Sequence, residues 1–99
     1  MTINEIKNLL AKKLEDEGSN FTKKDISIKR NGTGDKFTII MKDYDHCPIK
    51  IRTEVDKYFG NCIWVTYEFE DETLLFDSKK SWAWESAIKN IGYDIANTF

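Results

Sequence analysis

Apolar and polar residues alternate along this chain with two different periods, one helical and one extended. Ile3, Ile6, Leu10 and Leu14 recur at helical spacing and form a single stripe. Thr2 followed by Glu5 is a capping box, in which each side chain can bond the other's backbone N–H. Met1 and Ile6 stand where a hydrophobic staple would, and Gly18 is a natural stop. A helix is therefore expected from about Thr2 to Gly18.

From Asp25 the period falls to two. Ile26 and Ile28 alternate with Ser27 and Lys29, Asn31–Asp35 is a run of turn formers, and Phe37, Ile39 and Met41 resume the alternation. Setting Ile28 opposite Ile39 brings Ile26 to Met41 and puts the apolar residues on one face of a hairpin. Asp43–Pro48 reads as a loop, since Pro48 cannot donate to a central ladder. Ile49, Ile51, Thr53 and Val55 then alternate with charged residues, and Ile63, Val65, Tyr67 and Phe69 alternate again.

The register of this second hairpin is chosen by charge. A two-residue turn at Gly60-Asn61 sets Glu54 against Tyr67 on the buried face. A three-residue turn, Phe59-Gly60-Asn61, pairs Val55 with Val65 and Ile51 with Phe69. It also places Arg52 against Glu68 and Lys50 against Glu70, and such pairs favour a register by a few tenths to about 1 kcal/mol each. The three-residue turn is the expectation. Thr73–Asp77 is read as a short last strand. Ser78 or Ser81 is expected to cap a second helix, with Glu85 near its positive end and Trp84, Ile88, Ile91 and Ile95 as its apolar stripe. The fold class expected is α+β: a single domain over residues 1–99, an antiparallel meander of four to five strands with an N-terminal and a C-terminal helix on one face.

Composition supports a globular chain. Of 99 residues, 40% are hydrophobic and 32% charged, enough for one core without disulfides. No apolar run approaches the roughly 20 residues of a membrane span, and no signal peptide is evident, so a bacterial cytoplasm is expected. Cys47 and Cys62 form no CxxC motif and suit a reducing compartment. Abundant Lys, Asn and Ile fit an AT-rich genome such as that of a low-GC bacterium or its phages.

The net charge of −2 conceals an asymmetry. Residues 1–42 carry nine basic and six acidic side chains, whereas residues 43–77 carry three and nine. An acidic centre argues against direct nucleic-acid binding. The alternative, a single-stranded nucleic-acid binder, would use Lys12, Lys13, Lys23, Lys24, Lys29, Arg30 and Lys36, which also serve simply to solvate a helix and a hairpin.

Catalysis finds little support. His46 lies beside Cys47, but adjacent residues in an extended loop point apart, and a nucleophile pair needs contact. Asp43, Asp45, His46 and Cys47 match no metal-site spacing. The glycines of Asn31–Asp35 lack the strand–helix setting and Gly-Lys-Ser/Thr of a phosphate loop. No enzyme activity, metal or cofactor is expected.

One surface stands out. In the expected register Asp56 faces Trp64 and Tyr58 faces Cys62 on the polar side of the sheet, beside Glu54, Glu68 and Glu70. Trp82 and Tyr93 fall on the outer side of the second helix. Exposed aromatics of this kind are enriched at binding hot spots. The function expected is a non-enzymatic protein-binding module, a small phage or mobile-element inhibitor whose acidic-aromatic face fits a basic nucleic-acid-binding groove on its target. A toxin-neutralising immunity protein is a second expectation of the same kind.

Overall fold

In the computed structural model, which describes residues 1–32, 36–44, 47–68, 71–74 and 77–97, the first helix α1 runs Ile3–Asp16. Its capping box forms: the Glu5 N–H donates to Thr2 Oγ1 at 3.1 Å and the Thr2 N–H to Glu5 Oε1 at 3.2 Å. The other end closes as a Schellman motif. Gly18, at φ 75°, donates to the Glu15 carbonyl, and Ser19 donates to that of Leu14.

Among the described residues five strands follow in a meander: β1 Ile26–Arg30, β2 Lys36–Met41, β3 Ile49–Asp56, β4 Gly60–Thr66 and β5 Asp71–Leu74, antiparallel and adjacent in chain order. The helix α2, Ser81–Asn97, closes the chain. The β1–β2 register matches the expected one, with Ile26 opposite Met41 and Ile28 opposite Ile39. Phe37, Ile51 and Val65 extend that apolar face across the sheet, and Ile6, Leu10 and Leu14 of α1 join Trp84, Ile88, Ile91 and Ile95 of α2 in the same core. Both helices thus lie on one sheet face, as the alternation requires.

Polar contacts help to fix α2 against the sheet. The Tyr67 hydroxyl donates to Asp94 Oδ2 at 2.7 Å, and the Trp84 indole N–H donates to the Ser78 carbonyl at 3.0 Å. The Ser78 N–H in turn reaches the Asn61 carbonyl at the start of β4. No helix of the described residues is long and apolar enough to cross a membrane.

The second hairpin departs from expectation. Its loop does hold three residues, but they are Lys57, Tyr58 and Phe59, and Asp56 pairs with Gly60. Ile51 therefore faces Val65, not Phe69; Arg52 faces Trp64, not Glu68; Lys50 faces Thr66, not Glu70; and Val55 faces Asn61. Phe69 and Glu70 themselves lie outside the described residues. The turn decides this. Gly60 stands at φ 76°, a conformation that costs other residues about 1–2 kcal/mol. Asp56 Oδ1 accepts from the N–H of Tyr58 at 2.7 Å and of Phe59 at 3.0 Å. Together these outweigh two exposed cross-strand ion pairs.

Smaller differences follow the same logic. β5 begins at Asp71 rather than Thr73, because the shifted β4 ends at Thr66. Glu85 sits in the second turn of α2, past the reach of its N-terminal dipole.

Candidate functional site

Among the described residues, the most exposed apolar side chains gather where β3 turns into β4. Val55 is 76% exposed, Tyr58 83% and Phe59 65%. Val55 stands on the helix side of the sheet by register, yet among the described residues it is left largely uncovered. The sequence pattern had placed it in the core. Between Val55, the first turn of α1 and residues 78–81 lies a cleft of about 760 Å³, lined by Met1, Glu5, Thr53, Asn61, Lys80 and Trp84 among others.

The tip is built, not loose. Asp56 bonds two successive loop N–H groups, Gly60 takes the left-handed turn, and the Lys57 ammonium lies 5.8 Å from the Tyr58 ring centroid. Asp56→Ala should strand both N–H groups in solvent and cost about 1 kcal/mol, since an exposed charge-assisted pair is partly screened. Urea denaturation reads that loss, and faster amide exchange at Tyr58 and Phe59 would locate it in the loop.

The residues singled out from sequence are dispersed by the observed register. Glu54 and Trp64 share the helix-free face, but Arg52 stands between them. Arg52 approaches Glu54 Oε2 at 3.5 Å and lies 5.2 Å from the Trp64 ring centroid. Asp56 is engaged in the loop and Tyr58 projects from the tip. Glu68 is exposed just past β4, and Glu70 lies outside the described residues. Trp82 and Tyr93 are 55% and 52% exposed on the outer side of α2. Eleven residues apart, they stand about 16 Å from one another along the axis and make two patches, not one. Asp56 and Trp64 are therefore not cross-strand partners: Arg52 stands opposite Trp64, and Asp56 pairs with Gly60 at the turn. Phe59 and Val55 are the site residues the sequence reading missed. The Asp56–Gly60 spacing, a turn-capping aspartate and a glycine closing a three-residue loop, was the signal for them.

The other candidate chemistry is weaker. Cys47 Sγ sits 3.1 Å from the Met41 backbone nitrogen, and burial pushes its thiol above the usual range, only partly offset by that hydrogen bond. A nucleophilic cysteine needs the opposite shift. Asp45 and His46 lie outside the described residues. Cys47 and Cys62 are both free thiols.

No protein-family model, curated protein or solved structure matches this chain.

Proposed function

We propose that this chain is a non-enzymatic protein-binding module that docks through the tip of its β3–β4 hairpin. One observation carries the reading: Val55, Tyr58 and Phe59, all more than half exposed, project from a turn pre-ordered by Asp56 and Gly60. Rigid aromatics lose little entropy on burial, and anchors of this type dominate binding energies. The adjoining cleft, floored by Trp84, gives a partner segment a place to enter beside the tip.

The finer part of the proposal concerns the partner. The chain acts in the bacterial cytoplasm as a small inhibitor carried by a phage or mobile element, directed at a host defence or nucleic-acid-handling protein. Its size, its Lys-, Asn- and Ile-rich composition and a surface given to contact rather than chemistry support that reading.

The test is capture of partners from bacterial lysate on immobilised protein, with Tyr58→Ala/Phe59→Ala as the paired control. Both side chains are exposed, so the variant should keep its far-ultraviolet circular dichroism. A stoichiometric partner held by the native chain and weakened at least about a hundredfold in the variant is expected, from two hot-spot losses of roughly 2 kcal/mol each. Equal capture by both proteins would remove the tip from the interface.

A further inference from the structure

The sheet face turned away from the helices carries a second surface, distinct from the hairpin tip. Across its strands, Lys29, Thr38, Lys50 and Thr66 form one row. Lys36, Arg52 and Trp64 form the next. The three lysines are exposed, and Arg52 lies over the Trp64 ring. A shallow depression of about 380 Å³ opens there, lined by Asn31, Lys36, Lys50, Arg52, Trp64 and Thr66. The buried Trp64 indole N–H has no acceptor among the described residues, an arrangement that calls for an explanation.

The charge directly opposite Trp64 is the reverse of the sequence expectation. In the expected register Trp64 met Asp56 among carboxylates; in the observed one it meets Arg52, flanked by Lys36 and Lys50. Of the nearby carboxylates whose side chains are described, Glu54 is already paired with Arg52, and Glu68 is exposed two residues past Thr66. The rows end at β5, where Asp71 and Thr73 stand opposite Thr66 and Trp64.

We infer that this face binds single-stranded nucleic acid, with phosphates at Lys29, Lys36, Lys50 and Arg52 and an unpaired base against the Arg52–Trp64 pair. Charge complementarity selects the anion. Cations stand about 7 Å apart along β3, about 5 Å apart at the Lys36–Arg52 pair and about 10 Å apart between β1 and β3, so the four spread along a path and do not all converge on one small ion. The guanidinium–indole pair selects the base, because stacking on such a platform needs an unpaired ring and tolerates any sequence. A regular duplex keeps its bases stacked on one another and would leave that pair unused. The carboxylates of residues 43–77, the segment that also supplies Lys50, Arg52 and Trp64, repel a polyanion at long range, so attraction is local and strongly screened by salt.

The experiment is fluorescence anisotropy with labelled oligothymidylate and oligouridylate of about 15 nucleotides, a length that spans one single-strand site. An oligoglutamate peptide of similar charge serves as comparison. Both oligonucleotides should bind at low salt, with log affinity falling against log salt at a slope of about −3, four phosphates at roughly 0.7 each. Lys36→Glu/Lys50→Glu should weaken binding at least about tenfold with the melting curve preserved. Arg52→Lys, which keeps charge but loses the planar stack, should weaken it several-fold at an unchanged slope. Absence of oligonucleotide binding at low salt, or full affinity in the folded double-glutamate variant, overturns the inference. Oligoglutamate binding as tightly as oligothymidylate also overturns it, and would mark the face as a dock for acidic proteins. None of these outcomes depends on the hairpin tip.

Discussion

Phe37→Ala is expected to remove about 4 kcal/mol of stability, close to half of what a 99-residue domain commands. Phe37 is 1% exposed at the centre of the helix-side face, with Ile51 beside it on β3. Its ring meets Trp84 edge-on, centroids 5.9 Å apart and planes at 88°, while the Arg30 guanidinium lies 4.7 Å from its centroid. Truncation removes the transfer energy of the ring and opens a cavity bounded by elements that cannot all move inward. β2 is held by ladders on both sides, and Trp84 is tied by its N–H to Ser78. The edge-to-face and cation–π contacts add about 1 kcal/mol beyond burial. In urea the midpoint should fall by roughly 2–3 M. Phe37→Leu, which refills most of the volume, should lose about a third as much. Equal losses in the two variants would mean that the aromatic contacts, rather than the volume, hold this part of the core.

The sequence was most legible where one local rule acted alone. The capping box of Thr2 and Glu5, the stop at Gly18 and the β1–β2 register each follow from residues within a few positions of one another. Legibility failed at β3–β4, where two rules competed. Opposite charges at Arg52/Glu68 and Lys50/Glu70 favoured one register, and the chemistry of Asp56–Gly60 favoured another. Both registers keep Ile51 and Val65 on the buried face, so hydrophobic alternation could not arbitrate. The turn as a whole could: each exposed pair contributes a few tenths to about 1 kcal/mol, whereas a left-handed residue without glycine costs about one or two, and Asp56 adds two loop hydrogen bonds. That one shift carries through to both proposed surfaces, because it exchanges Asp56 for Arg52 beside Trp64 and moves Tyr58 from the strand into the loop beside Phe59. Exposure of Val55 was illegible for a different reason. Alternation assigns a side of the sheet, but not how far the helices reach along it.

The close approach of the two helices, equally hidden from periodicity, yields the other large effect. Gly92 lies on the buried stripe of α2, and a Cβ built there would meet Lys13 Cγ at 2.7 Å, Lys13 Cβ at 3.0 Å and Leu10 Cδ1 at 3.4 Å. Gly92→Ala gains about 1 kcal/mol in helix propensity and loses a similar amount or more to this contact, so it should be neutral to mildly destabilising. Gly92→Leu has no such balance. Its branched end must enter space filled by Leu10 and the Lys13 stem, and parting the helices would unpack Leu14, Ile88, Ile91 and Ile95 together. A loss of about 3 kcal/mol or more is expected, seen as a fall in urea midpoint with a reduced slope if packing loosens. Lys13→Ala separates clash from propensity. Alone it forfeits the partly buried ion pair with Glu17 at 2.8 Å and the packing of the Lys13 stem over Gly92. Combined with Gly92→Ala it removes Lys13 Cγ, the nearest obstructing atom, and should make the double variant more stable than the sum of the singles. Additive effects would show that the Lys13 stem simply swings aside, leaving Gly92 free to be any small residue.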